Sequence, residues 1–216
     1  MKNLFTFVAA SAAACTLSMA AHASTIVDFA AYAAGNEGGV TNGTSLNING
    51  VNLTFESNFN PYFDDVSGGK PAGLGVCRTL NAQSHCVDAG DDSIDGDFGV
   101  NEYIAVIFDD GPFNVFQLSF RDGRHNSLNF DGIGLVKWGI FDAIGDLLNT
   151  GVTTFADILS MAAAGNFAQV DGIGFQFVDT EFYVENISDV PVPAALPLLF
   201  SGLAGLAFAT RRKKSL

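Results

Sequence analysis

The sequence predicts an all-β protein: an antiparallel β-sandwich or jelly roll, preceded by an N-terminal signal peptide and followed by a single C-terminal transmembrane helix. Three observations point there. Apolar residues recur at period two in short runs, with no long stretch of clean helical period. Gly-, Asn- and Asp-rich turn signals separate those runs at close spacing. Both ends of the chain carry apolar stretches of the kind that membranes or export machinery read.

Taken in order, the first strands are SLNINGVNLTF. Leu46 and Ile48, then Val51, Leu53 and Phe55, alternate about Asn49-Gly50, the strongest short hairpin signal. YIAVIF and FNVFQLSF flank a second turn, Asp109-Asp110-Gly111-Pro112. GLVKWGIFD alternates about Trp138 and runs into a turn containing Gly145. IGFQFVD and TEFYVENIS place Phe175, Phe177, Phe182 and Val184 at period two, followed by Ile187. One segment dissents: TTFADILSMAAAGNFAQ reads equally as a short helix ending at Gly165. About eight such strands make a two-sheet architecture. Twenty Phe residues suit the space between the sheets. An exposed ring among Tyr62, Phe63 and Trp138 would instead offer a platform for sugars.

The boundaries follow from composition. Residues 1–23 hold Lys2, an apolar stretch and Ala21-His22-Ala23, the three parts of a secretory signal, with cleavage between Ala23 and Ser24. The exported domain is then residues 24–188, and residues 189–216 form the tail. Cys15 leaves with the signal. Cys77 and Cys86 remain, nine positions apart, and an exported chain favours their pairing as a disulfide. The competing reading is a Cys/His metal site using His85 or His125. Between Ser24 and Asp189 the body carries five cations, Lys70, Arg78, Arg121, Arg124 and Lys137, against 23 carboxylates, a net of −18. Such a body repels phosphate backbones, so no nucleic-acid partner is expected. It attracts divalent cations.

DDSIDGDFGVNE, residues 91–102, is the sharpest internal pattern. Asp91, Ser93, Asp95, Gly96 and Glu102 match positions 1, 3, 5, 6 and 12 of the EF-hand calcium loop. The flanking residues are not helical, so an EF-hand is not expected. Two readings stay open: a calcium site of other geometry, with Asp91, Asp92, Asp95, Asp97 and Glu102 as candidate ligands, and a solvated acidic turn. No catalytic motif is present: no G-x-S-x-G, no H-E-x-x-H and no phosphate-binding Gly loop. His125 lies near Ser127, which does not make a triad. The expected role is therefore non-catalytic. The alternative from another class is a secreted polysaccharide-acting enzyme, glycoside hydrolase-like, using paired carboxylates on the β-sandwich.

The tail, VPVPAALPLLFSGLAGLAFATRRKKSL, places an uncharged segment of about membrane length before Arg211, Arg212, Lys213 and Lys214. Those cations hold its end on the cytoplasmic side. The order Pro191-Val192-Pro193, apolar segment with Ser-Gly-Leu-Ala-Gly-Leu, basic end resembles the PEP-CTERM sorting signal of Gram-negative bacteria. Val192 stands where the family's namesake motif has Glu. The resemblance implies an exosortase-type membrane transpeptidase as partner, with processing near the Pro motif. It also implies association with exopolysaccharide and biofilm matrix. Expected localisation is export through the inner membrane, transient anchoring, then the cell surface or extracellular matrix.

Overall fold

The computed structural model describes residues 25–65, 70–87, 91–128 and 134–189. Ala23, Ser24, the Pro191-Val192-Pro193 motif and Arg211, Arg212, Lys213 and Lys214 lie outside them, as do the signal peptide and the tail segment. Among the described residues, no helix is long and apolar enough to cross a membrane.

The elements are β1 (Ile26–Asp28), α1 (Phe29–Ala33), β2 (Gly38–Gly39), β3 (Ser45–Ile48), β4 (Val51–Ser57), β5 (Asn60–Asp64) and β6 (Gly73–Cys77). After the acidic loop come β7 (Tyr103–Phe108), β8 (Phe113–Val115), β9 (Gln117–Asp122), β10 (Leu135–Phe141) and β11 (Leu147–Thr154). The last are α2 (Phe155–Ala163), β12 (Phe167–Val170), β13 (Gly172–Phe177) and β14 (Phe182–Ser188). The protein is all-β, and every described strand pairing is antiparallel. One sheet runs β1-β14-β6-β5-β2, with β9 also on β14; the other runs β11-β10-β13-β7-β4-β3; β8 and β12 form a small ribbon.

Local chemistry sets the turns. Asn49 and Gly50 both take positive φ, 52° and 87°, as the tight turn between β3 and β4 requires. Asp142 accepts from the Ile144 and Asp146 N–H groups at 3.0 and 2.9 Å and shapes the β10–β11 turn, where Gly145 takes φ 85°. The dissenting segment is a helix at its start only. Thr154 caps α2 by accepting the Asp157 N–H at 3.1 Å, Gly165 turns the chain at φ 80°, and β12 follows.

The two larger sheets meet through aromatic rings, giving a sandwich-like layering. Phe55 of β4 packs edge-on against Phe63 of β5 at 5.6 Å, and Phe120 of β9 against Phe175 of β13 at 5.1 Å. Phe155 of α2 joins the second cluster, 5.1 Å from Phe120 and 5.2 Å from Phe182. Each such pair adds roughly 0.5–1.5 kcal/mol beyond its buried area.

One alternative falls and one expectation is corrected. Tyr62, Phe63 and Trp138 offer no sugar platform: all three are buried, and Trp138 faces inward, 5.3 Å from Phe167. The run FNVFQLSF is not one strand. It breaks after Val115, because the Phe116 N–H is taken by the Ser188 carbonyl at 2.9 Å. Its first half pairs with β12 and its second with β14.

Candidate metal centre

The acidic segment joins β6 to β7, and it is fastened at both ends. The Cys77–Cys86 disulfide ties its start to the last residue of β6. Because both sulfurs are consumed there, the alternative of a Cys/His metal site falls. Cys86 Sγ lies 2.8 Å from the Asp91 carbonyl oxygen, a contact and not a hydrogen bond, since a disulfide sulfur carries no proton. Within the loop, Asn81 Oδ1 accepts the Gln83 and His85 N–H groups at 2.8 and 3.0 Å.

Beyond the disulfide the chain lies across the first sheet. Val76 N–H donates to the Ser93 carbonyl at 3.3 Å, and Ile94 exchanges both backbone bonds with Phe182 at 2.8 and 3.2 Å. This close approach depends on Gly75. A Cβ there would meet the Asp92 carbonyl oxygen at 2.0 Å and Ser93 Cα at 3.0 Å. Gly96 serves similarly under the Phe177 ring, whose nearest carbon would be 2.4 Å from an added Cβ.

Folding this way brings three of the five candidate ligands together. Asp91, Asp95 and Glu102 are 3, 5 and 1 % exposed. One carboxylate oxygen from each lies within 4.8 Å of the others. Asp92 and Asp97 are elsewhere: Asp92 Oδ1 accepts the Tyr183 hydroxyl at 2.7 Å, and Asp97 is exposed, its N–H donating to Asp95 Oδ1 at 2.7 Å. The cluster is held by main-chain bonds. Asp91 Oδ2 accepts the Arg78 N–H at 3.2 Å. Asp95 N–H donates to Glu102 Oε2 at 3.3 Å, while Glu102 N–H donates to the Asp95 carbonyl at 2.9 Å. The elements around the loop are β6 and β7, so the spacing of a calcium loop occurs without EF-hand helices.

Burial pushes the Glu102 carboxyl up to about 8, helped by the charges of Asp95 and Asp91 and opposed by the Asp95 N–H and by Arg78. Burial likewise raises Asp95 to about 6; the Asp97 N–H opposes this, and the charges of Asp97, Glu181 and Asp91 add to it. Proximity and burial make full ionisation of this set costly. A bound proton relieves that cost, and so does a hard cation.

The donor set fits calcium. Its ligands are oxygens at roughly 2.3–2.6 Å, so two on opposite sides of one ion stand about 4.6–5.2 Å apart. Oxygens within 4.8 Å of one another can therefore all reach a single ion. A cleft of about 350 Å³ lined by Asp95, Gly96, Asp97, Phe177, Asp179 and Glu181 borders the cluster at Asp95.

Glu181 is the neighbour that spacing alone does not show. It sits immediately before β14, 86 positions from Asp95, and accepts the Ser93 hydroxyl at 2.8 Å. A second buried cluster was equally hidden. His125 Nε2 lies 2.9 Å from Asp64 Oδ2, and its Nδ1 lies 2.9 Å from the Lys70 carbonyl. That carbonyl can only accept, so Nδ1 carries a proton. Both ring nitrogens are occupied, and neither is offered to Ser127. Asp64 is raised to about 6 by burial and by Asp92, with His125 acting against the shift.

The sequence matches no protein-family model, no curated protein and no solved structure.

Proposed function

We propose that this chain is an exported, non-catalytic surface or extracellular-matrix protein whose β-sandwich is stabilised by calcium held by Asp91, Asp95 and Glu102. The observation that carries the calcium reading is the convergence of three buried carboxylates whose oxygens lie within 4.8 Å of one another. Calcium in this position ties the loop after Cys86 to the residue before β7. It thereby links the two sheets, since β6 belongs to one and β7 to the other. Extracellular modules use such ions as structural clips with affinities of roughly 10⁻⁴–10⁻³ M.

The sorting part rests on the order of features in residues 190–216: Pro motif, apolar segment, basic end. In this reading an exosortase-type transpeptidase processes the tail, and the acidic domain passes to the surface or matrix, where exopolysaccharide is its setting. Calcium also serves there as a bridge between an anionic protein and anionic polysaccharide.

Calorimetric titration of the purified chain with calcium tests the site. Heat and a thermal shift at millimolar calcium, both lost in Glu102→Gln, are expected. Absence of both in the wild-type protein reduces the cluster to a proton-holding loop.

A further inference from the structure

Strand β11 is the longest described strand, at eight residues, and among the described residues it stands at the outer edge of its sheet with β10 as its one strand neighbour. Edge strands present unpaired backbone groups and are normally protected by shortness, charge, proline, a bulge or a covering element. The opposite edge of the same sheet, β3, has four residues. Residues 147–154, LLNTGVTT, contain no charge and no proline. Two protective features are present: a register shift at Leu148, where Ile140 faces Asn149 but Phe141 faces Leu147, and the Thr150 N–H, which Asn149 Oδ1 accepts at 2.9 Å. Residues 149–154 remain in regular register with β10, and three Thr and one Val among them suit a strand. Around them Ile144, Leu147, Leu148 and Val152 are 53–83 % exposed, half of the large apolar side chains exposed among the described residues.

We infer that β11 is a self-association edge: a second copy of this chain pairs with it antiparallel, joining two sheets into one continuous sheet across a two-fold axis. The backbone edge calls for another strand, and charge selects which one. The body carries 23 carboxylates, yet none falls between Asp146 and Asp157. Two copies can therefore meet along the middle of β11 without setting carboxylate on carboxylate, the flanking ones being Asp146 before the strand and Asp157, whose Oδ2 accepts the Thr153 and Thr154 hydroxyls, after it. Lys137 lies beside Val152 on the next strand. Across the joined sheet the two Lys137 side chains stand three strand spacings apart, about 14 Å, beyond the Debye length of about 8 Å. Antiparallel pairing of identical strands is also self-complementary, placing the apolar side chains of one copy against those of the other. The inference stands independently of the calcium and sorting readings.

The test uses the full chain exported by its host. Val152→Cys, treated with a short bis-maleimide, is expected to give a band at twice the chain mass; Ser45→Cys on β3 is expected to give none. Adding Leu148→Lys, or Ile144→Lys in the exposed turn, should cut the cross-linked fraction by about tenfold or more. Circular dichroism and an intact Cys77–Cys86 bond report that each variant folds. A band at any other mass assigns the edge to a different protein, and absence of a Val152-linked dimer leaves the edge unpaired. Either result overturns the inference, as does a dimer that both lysine variants leave unchanged.

Discussion

Asp95 and Glu102 hold each other through the main chain: the Asp95 N–H donates to Glu102 Oε2 at 3.3 Å, and the Glu102 N–H returns a 2.9 Å bond to the Asp95 carbonyl. The two side chains are thus kept side by side whatever their charge. Burial and this neighbour raise Glu102 from 4.5 to about 8, and Asp95 rises from 3.8 to about 6. The folded chain therefore keeps protons that the unfolded chain releases. For a raised carboxyl, stability is highest below the unfolded value and falls as pH rises through the folded one. In EDTA, Tm should decline from about pH 5 to about pH 9, with the Glu102 part of the decline ending near its folded value. Calcium should flatten the slope by taking the proton's place. Glu102→Gln should remove most of the slope above about pH 6 and weaken calcium binding by about a hundredfold or more, beyond what loss of a supporting contact costs. A flat Tm profile in EDTA would contradict a protonated cluster.

The disulfide should matter to the site as well as to the fold. Closing a loop of this length stabilises by about 2–3 kcal/mol. The paired change Cys77→Ser with Cys86→Ser, which leaves no lone thiol, should lower Tm by about 5–10 °C. Since Asp91 follows Cys86 by five positions, the same variant should bind calcium more weakly. Unchanged calorimetric affinity would show that the acidic loop is positioned without the bridge.

Gly75 is where the loop touches the sheet. An alanine Cβ would meet the Asp92 carbonyl carbon and oxygen and Ser93 Cα, all main-chain atoms, at 2.0–3.0 Å. Backbone cannot rotate away as a side chain can. Gly75→Ala should cost about 1–3 kcal/mol or more by urea denaturation and loosen the calcium site. Gly35 has nothing within 4 Å of an added Cβ and no positive φ, so Gly35→Ala should stay within about 0.5 kcal/mol of wild type.

How much of this was legible depends on the range over which each feature is fixed. The Asn49-Gly50 turn was readable because two adjacent residues must take positive φ there. The Asp91, Asp95 and Glu102 set was readable because its spacing lies within one loop, although Asp92 and Asp97, equally acidic, turn to Tyr183 and to solvent. Alternation failed in β5: Pro61, Tyr62, Phe63 and Asp64 are all buried, so period two says nothing about exposure there. It failed again in β11, where five of eight residues are exposed, none is buried and no apolar face forms. Glu181 beside Ser93, and Asp64 beside His125, are joined only by the tertiary fold, and no local pattern marks them.

The His125–Asp64 pair carries its own stability prediction. His125 takes φ 61°, a conformation Asn tolerates, so His125→Asn keeps the backbone while withdrawing the ring from Asp64. A buried carboxylate stripped of its partner should cost about 3–5 kcal/mol. Asp64→Asn in the same chain should recover much of that loss, because the charge needing the ring is gone. Urea midpoints of the two single variants and the double variant measure the coupling. Additive losses would mean that the 2.9 Å contact contributes little.

The sorting proposal predicts a mass. If a transpeptidase cuts near Pro191-Val192-Pro193, surface material from the native host lacks Arg211, Arg212, Lys213 and Lys214 together with the apolar segment. Four cations then leave a chain whose body is already at −18. The mature protein should therefore be more anionic than the full chain and, freed of its apolar end, should partition away from membranes. Intact-mass measurement of the surface fraction reads this directly, with a second mass loss at the N-terminus if cleavage falls between Ala23 and Ser24. Replacing Pro191 and Pro193 by Ala should leave the uncut chain in the inner membrane, since the recognised motif is gone while the apolar segment and its basic flank remain. Recovery of the full-length C-terminus from wild-type surface material would make the tail a permanent anchor and remove the transpeptidase from the account.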